Sequence, residues 1–399
     1  MLFKNIKRDY IFFVLIFIPL ISSCQNKFNL LDIEKIEINK SVCRTCEEFT
    51  GVSFMAGLQN DRIINDTPFV IMTAFDLSEL YVCNTITCQT HSIPLNSLPA
   101  ASIRKLYYHN HDSIFIFFSE NSLKEVEENS GLIIPFHFIL LNGKGNIVNT
   151  YNLKDVPYSF QGQHSPLILL NGHYTRMPLI KNNCLLIFYD LYRPMADENY
   201  NPKLLCSYNL ANKTYQMLNV NIPKQFLGNK YEPGCIPYLK YTWDKDTNLL
   251  ISYGTSGDIY KYYFDLDTVK CIYTYNHLFF SNIDSLNRET GKEYMNVAFD
   301  EVKYCSETNQ YIRRIRVRRY KNYKQMTFTE LLDSNFQHIG YFYENERYQS
   351  AGVDYYGRLQ VFDEKKGKQY LIKSFRLHTV SIEDFEKSCF RINPNIKTN

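Results

Sequence analysis

Leu249-Leu250-Ile251-Ser252-Tyr253, Gly254-Thr255-Ser256-Gly257-Asp258, Ile259-Tyr260-Lys261-Tyr262-Tyr263-Phe264 carries the clearest fold signal in the chain. Two runs of aliphatic and aromatic residues flank a Gly/Ser/Asp cluster, which is the chemistry of strand, turn, strand. The pattern extends both ways. Pro237 to Thr242 reads as a strand before it, closed by the turn residues Trp243-Asp244-Lys245-Asp246-Thr247-Asn248. After it, Asp265-Leu266-Asp267-Thr268 turns into a fourth strand, Val269-Lys270-Cys271-Ile272-Tyr273-Thr274-Tyr275. Four short strands between Cys235 and His277, joined by tight turns, describe one blade of a β-propeller.

The next stretch repeats the plan with different residues. Asn296 to Tyr304, Tyr311 to Tyr320, Thr327 to Leu332 and Gln337 to Tyr343 are its strands. The turn expected before each blade's outermost strand recurs as Phe75-Asp76-Leu77, Leu141-Asn142-Gly143, Tyr208-Asn209-Leu210, Phe264-Asp265-Leu266, Leu332-Asp333-Ser334 and Phe362-Asp363-Glu364. Its Asp or Asn advances by 66, 67, 56, 68 and then 30 positions. A period of that size signals a repeat architecture, and the short last step leaves the final blade incomplete. Phe28 to Ile38 alternates like a strand and is expected to complete it. The reading is all-β: a single propeller of six four-stranded blades, closed by the N-terminal strand. Of the aromatics, 32 are Tyr, 28 Phe and one Trp. That balance favours strands and argues against a Trp-lined sugar platform.

The chain begins with Lys4, Lys7 and Arg8, then the apolar run Ile11 to Ile21, then Ser22-Ser23-Cys24. A basic start, a short apolar core and small residues before a cut describe a secretory signal peptide, too short to span a bilayer. Ile21-Ser22-Ser23-Cys24 resembles the lipobox of bacterial lipoproteins, which implies cleavage before Cys24 and lipidation of its sulfur. The expected organisation is a signal peptide over residues 1–23, a lipidated tether over 24–30 and the propeller over 31–399. Gln25 follows Cys24, where an Asp would resemble an inner-membrane retention signal, so the expected location is the outer membrane. Losing the leader takes the net charge from +3 to about +1, which leaves no global field to recruit nucleic acid. The lipobox, the Tyr-rich blades and hairpins such as Phe264-Asp265-Leu266-Asp267-Thr268 together resemble six-bladed propeller lipoproteins of Bacteroidota, a family of unknown function. The resemblance implies the fold and the anchor and carries over no catalytic residue.

Export allows disulfides, and Cys83 and Cys88 flank a four-residue hairpin loop that would set them opposite each other, so they are expected to pair. Cys43-Arg44-Thr45-Cys46 has the spacing of a redox or half-zinc motif, but its surroundings read as strand and no second pair completes a site. The remaining cysteines are scattered singly and are expected to be buried apolar residues. Ser102-Ile103-Arg104-Lys105 fits Ser-x-x-Lys without its companion elements. His109-Asn110-His111-Asp112 lies between two apolar runs and reads as a turn rather than a metal site, since two ligands fall short of three or four. His164 and His173 sit in loop sequence. No metal and no cofactor are expected.

The densest charge cluster is Tyr311-Ile312-Arg313-Arg314-Ile315-Arg316-Val317-Arg318-Arg319-Tyr320. Strand alternation puts Arg314, Arg316 and Arg318 on one side. They would either bind an anionic partner or pair with Asp300, Glu301 and Glu330 between blades. Pairing is favoured because buried charges are normally paired, and Arg316→Ala would then cost on the order of 3 kcal/mol. Two functional classes follow. One is a non-catalytic, outer-membrane-anchored propeller that binds a protein, peptide or glycan on one face. The other is a hydrolase- or lyase-type propeller enzyme with a dispersed site in the central channel.

Overall fold

The computed structural model describes residues 27–38, 60–64, 67–73, 78–84, 87, 89–95, 103–118, 137–152, 167–168, 179–190, 203–221, 223, 239–254, 256–275, 295–319, 325–344, 347–353 and 357–381. Every regular element among them is a β-strand. No helix among them is long and apolar enough to cross a membrane.

The strands form successive antiparallel meanders. The first holds Asn60–Ile64, Thr67–Thr73, Glu79–Asn84 and Thr90–Pro94, and the second Ile103–Asn110, Ser113–Phe118, His137–Leu141 and Ile147–Asn152. In the third, two short strands, Leu167–Ile168 and Leu179–Lys181, share the first position and both pair with Cys184–Asp190, followed by Lys203–Asn209 and Tyr215–Asn221. The fourth holds Leu239–Trp243, Leu249–Tyr253, Ser256–Tyr263 and Thr268–Tyr273, and the fifth Met295–Cys305, Gln310–Arg319, Gln325–Leu332 and His338–Tyr343. Tyr348–Val353, Leu359–Asp363 and Lys368–Ser381 supply three strands of a sixth sheet, and the N-terminal strand Lys27–Ile38 is its fourth.

The N-terminal strand runs antiparallel to Lys368–Ser381 from Lys27↔Ser381 to Ile38↔Tyr370. Its other edge meets the fifth sheet through the parallel bridge Leu30↔Tyr341, where Asn29 Nδ2 donates to the Ile339 carbonyl at 3.3 Å. The approach is tight at Gly340, where a Cβ would lie 3.1 Å from the Asn29 carbonyl oxygen and 3.0 Å from Leu31 Cγ. Lys27 to Leu30, expected to lie in the tether, belong instead to the sheet, since each has a cross-strand partner.

Asp and Asn recur at the turns because their side chains hold them. Asn142 Oδ1 accepts the Lys144 and Asn146 amides, Asn209 Oδ1 those of Ala211 and Asn212, and Asp333 Oδ1 those of Asn335 and Gln337. In the second to fifth sheets the expected turn does precede the fourth strand. Phe362-Asp363-Glu364 instead joins the second and third strands of the sixth sheet, whose fourth strand comes from the N-terminus. Phe75-Asp76-Leu77 lies outside the described residues.

Apolar clusters tie each sheet to the next. One joins the first and second sheets, another the second, third and fourth, and further ones the fourth to the fifth and the fifth to the sixth. Leu249–Tyr253 is buried at every position, as expected for a strand covered on both faces. Aromatic rings fill the gaps, with Phe138 stacked on Tyr151 at 4.5 Å and Tyr311 on Phe336 at 4.3 Å.

Candidate functional site

Ionisable groups converge where the fourth and fifth sheets meet. The strands Gln310–Arg319 and Gln325–Leu332 run antiparallel with Arg313 directly opposite Glu330, and both side chains are 0% exposed. Arg313 donates to Glu330 Oε2 from Nε at 3.0 Å and Nη2 at 2.5 Å. Its Nη1 crosses to the fourth sheet and donates to the Gly257 carbonyl at 2.7 Å. Tyr273, also of the fourth sheet, donates to Glu330 Oε1 at 2.8 Å, and His338 Nδ1 lies 3.2 Å from the same oxygen. The guanidinium sits 4.8 Å from the Phe299 ring centroid and 5.7 Å from those of Tyr273 and Tyr275, a cation–π seat.

Gly257 is required here, since a Cβ would fall 2.3 Å from Tyr275 Cγ and 2.4 Å from its Cβ. Burial alone would raise the Glu330 carboxyl, but Arg313 and His338 outweigh it and hold the group at about 2. Burial and the Glu330 charge push the Tyr273 and Tyr275 hydroxyls well above their ordinary range. Glu330 is thus a permanent acceptor, and the ensemble is a polar joint between sheets rather than a proton-transferring site.

A second cluster joins the same two sheets and is only partly buried. Lys240, on the first strand of the fourth sheet, reaches Asp300 Oδ1 on the first strand of the fifth at 2.6 Å. Arg316 Nη2 donates to that same oxygen at 2.8 Å. Burial would raise the Asp300 carboxyl, but Lys240 and Arg316 prevail and hold it below the usual carboxylate range. Arg314 is tied to Glu344, Nε to Oε1 at 3.0 Å and Nη2 to Oε2 at 3.1 Å.

The structure thus separates the arginines expected to act as one stripe. Arg314 and Arg316 are paired; of Arg318, only the backbone position opposite Asn296 and Gln325 is described. Glu330, an expected partner of the stripe, belongs to Arg313 instead. Arg316→Ala leaves Asp300 with Lys240, and Arg316 is 39% exposed. The expected cost is therefore about 1 kcal/mol or less, not the 3 kcal/mol of a stranded buried charge, and a thermal melt of the variant checks it.

Cys83 is a buried, free thiol, and the expected bridge to Cys88 is not formed. Thr90 and Val70 stand opposite Cys83, and the loop closes through Asn84 N donating to Gln89 O at 2.9 Å. Cys206 and Cys305 are buried as expected, whereas Cys271 is exposed because it sits on a fourth strand that has no further neighbour. Under native conditions Cys271 should be alkylated while Cys83, Cys206 and Cys305 are labelled only on unfolding, as mass spectrometry of the peptides would show.

His109 is the last residue but one of the strand Ile103–Asn110, and His111-Asp112 form the two-residue tip beyond it. His91 of the first sheet meets the His111 ring edge-on at 5.1 Å. Among the described residues no three His, Cys, Asp or Glu side chains gather as metal ligands would. Cys24, Cys43, Cys46, Cys88, Ser102, His164 and His173 lie outside the described residues.

No known family model and no curated protein matches this sequence. Among solved structures, the chain is similar to a member of the DUF4221 family from Bacteroides vulgatus. The identity is 13% over 89% of this chain and 100% of that one, with a TM-score of 0.56. The likeness is one of fold. The Dos1 propeller (12% identity, 76% of this chain and 75% of that one, TM-score 0.35) and a streptogramin B lyase (10%, 88% and 98%, 0.34) are more distant.

Proposed function

We propose that the chain is an outer-membrane lipoprotein, anchored through Cys24, whose sheets close into a six-bladed propeller that binds a protein, peptide or glycan of the cell envelope on one face. The observation that carries the binding face is the placement of the long connections. In each meander the links from second to third strand, and from fourth strand to the next sheet, leave from the same end. The long segments 39–59, 119–136, 153–166, 191–202, 222–238 and 274–294 are all of these two kinds. The opposite ends carry short turns, such as 111–112, 182–183, 244–248 and 306–309. Long connections raised on a rigid scaffold are where binding residues concentrate.

The ionisable groups on the first strands favour binding over catalysis. A general acid or base works with a pKa near the operating pH, and Asp300 is held away from it by two cations. The test is capture from detergent extracts of outer membranes by the purified protein, compared with a variant whose 119–136 segment is replaced by a short Gly/Ser link. Loss of a captured envelope component in the variant supports the reading. Capture indifferent to each of the long segments in turn refutes it.

For the anchor, Lys27 is already in the sheet, so Cys24 would hold the body close to the bilayer. Cys24→Ala should abolish lipidation and leave the protein soluble or unprocessed, because the thioether needs that sulfur. A Cys24→Ala protein that is cleaved like the wild type and still partitions into detergent with it would exclude lipid anchoring.

A further inference from the structure

We propose that the short-turn end of the sheets is seated on the lipid bilayer, with Ile147, Val148, Tyr215, Leu266 and Leu377 as its lipid contacts. The proposal rests on the anchoring reading above and assigns the face that the anchor turns towards the membrane.

Seven large apolar side chains stand exposed among the described residues, and five of them share one end of the sheets. Ile147 and Tyr215 open the fourth strands of the second and third sheets, immediately after their turns, and Val148 follows Ile147. Leu266 lies in the corresponding turn of the fourth sheet and is 65% exposed. Leu377 stands opposite Leu31, towards the end of the strand pair where Ser381 meets Lys27. The remaining two, Ile38 and Phe362, stand at the opposite end, beside segments 39–59 and 364–367. Single exposed apolar residues need no explanation, but a group gathered on one side marks a contact surface.

Contacts between neighbouring sheets make this end one continuous rim. Lys213, in the turn of the third sheet, donates from Nζ to the Thr150 carbonyl on the fourth strand of the second at 3.3 Å. Asp267, in the turn of the fourth sheet, accepts the Asn219 amide on the fourth strand of the third at 2.8 Å. Phe336, in the turn of the fifth, shares a cluster with Ile272 on the fourth strand of the fourth. Asn29 then meets Ile339 near the start of the fifth sheet's fourth strand, and Lys27 lies two residues further out.

Lys27 decides the occupant. Fourth strands begin at the short-turn end, and Lys27 begins the fourth strand of the sixth sheet. Three residue steps separate it from Cys24, a reach of about 10 Å. A lipidated Cys24 therefore brings this end, and not the opposite one, to the bilayer surface. There the apolar and Tyr side chains bury favourably in the headgroup layer, while the polar turns between them stay hydrated. The long segments then face away from the membrane, open to an envelope partner.

The experiment is photo-crosslinking. p-Benzoylphenylalanine is placed singly at positions 148, 266, 38 and 362 of the full chain, expressed with its signal peptide. The purified proteins are reconstituted in vesicles of phosphatidylethanolamine and phosphatidylglycerol and irradiated. Mass spectrometry should find lipid adducts at 148 and 266 and none at 38 and 362. The mass of the N-terminal peptide reports lipidation of Cys24 separately. Absence of adducts at 148 and 266 overturns the seated face, and on a lipidated chain it leaves the anchor standing. Adducts at 148 and 266 on a chain with an unmodified Cys24 keep the face and sink the anchor. Equal adducts at all four positions, or protein in place of lipid adducts at 266 when cells are irradiated, overturn the proposal.

Discussion

Arg313→Ala is expected to destabilise the protein by about 3–5 kcal/mol, the penalty for leaving a buried charge without its partner. The stranded group would be Glu330, fully buried and reliant on the guanidinium for two of its hydrogen bonds. The Gly257 carbonyl would lose its donor as well. Urea unfolding of wild type and variant measures the difference, and a loss below about 1 kcal/mol, the range of exposed pairs, would contradict it. Replacing both partners by Met should recover part of the loss, since apolar groups of similar volume often substitute for a buried pair. Recovery stays partial because Tyr273 and the Gly257 carbonyl remain unmatched.

The same joint sets an acid limit. Glu330 has a folded pKa of about 2 against an ordinary value of 4.5, so the folded state holds the proton less tightly than the unfolded state. Its contribution is complete above the unfolded value and is lost progressively as pH falls from about 5 towards 2. An acid titration of the melting temperature should therefore be steeper in wild type than in a Glu330→Gln variant over that window.

The second large effect concerns the N-terminal strand. A chain lacking residues 27–38 should lose cooperative folding or associate, because Lys368–Ser381 would become a long unpaired edge. The milder Leu31→Ala should cost about 2–4 kcal/mol, the range for a buried Leu truncated to Ala. Leu31 is 4% exposed, in a cluster with Cys305, Ile312, Phe342 and Val361. Cys305 offers a readout: its thiol should alkylate faster in the Leu31→Ala protein than in wild type. Equal rates would mean that the strand is not holding that cluster closed.

Much of this architecture was legible in the sequence because strand alternation and Asx-held turns are local. The N-terminal strand could be assigned to the last sheet because the turn spacing left that sheet one strand short. The joint between the fourth and fifth sheets was missed, although it left a signal. Tyr311, Arg313 and Ile315 share one face of a strand, and Phe328, Glu330 and Leu332 share one face of the next. A charge breaking an apolar alternation at the same level of neighbouring strands is a paired, buried ion. The other face carries more arginines, Arg314 and Arg316 among them, and these are partly exposed. Loop register was also beyond local reading: a loop closed by Asn84 and Gln89 rather than by the cysteines turns a bridge into a free thiol.

The pairing of the first and last strands has a kinetic consequence. Asn29 and Thr379, which meet through a side-chain hydrogen bond, are 350 positions apart. Closing so long a loop requires the whole intervening chain to be placed first, and folds dominated by distant contacts are slow to form. The strand Lys27–Ile38 therefore completes its pairing only once Lys368–Ser381 is in place, and the sixth sheet should be the last to gain protection in a hydrogen-exchange pulse during refolding.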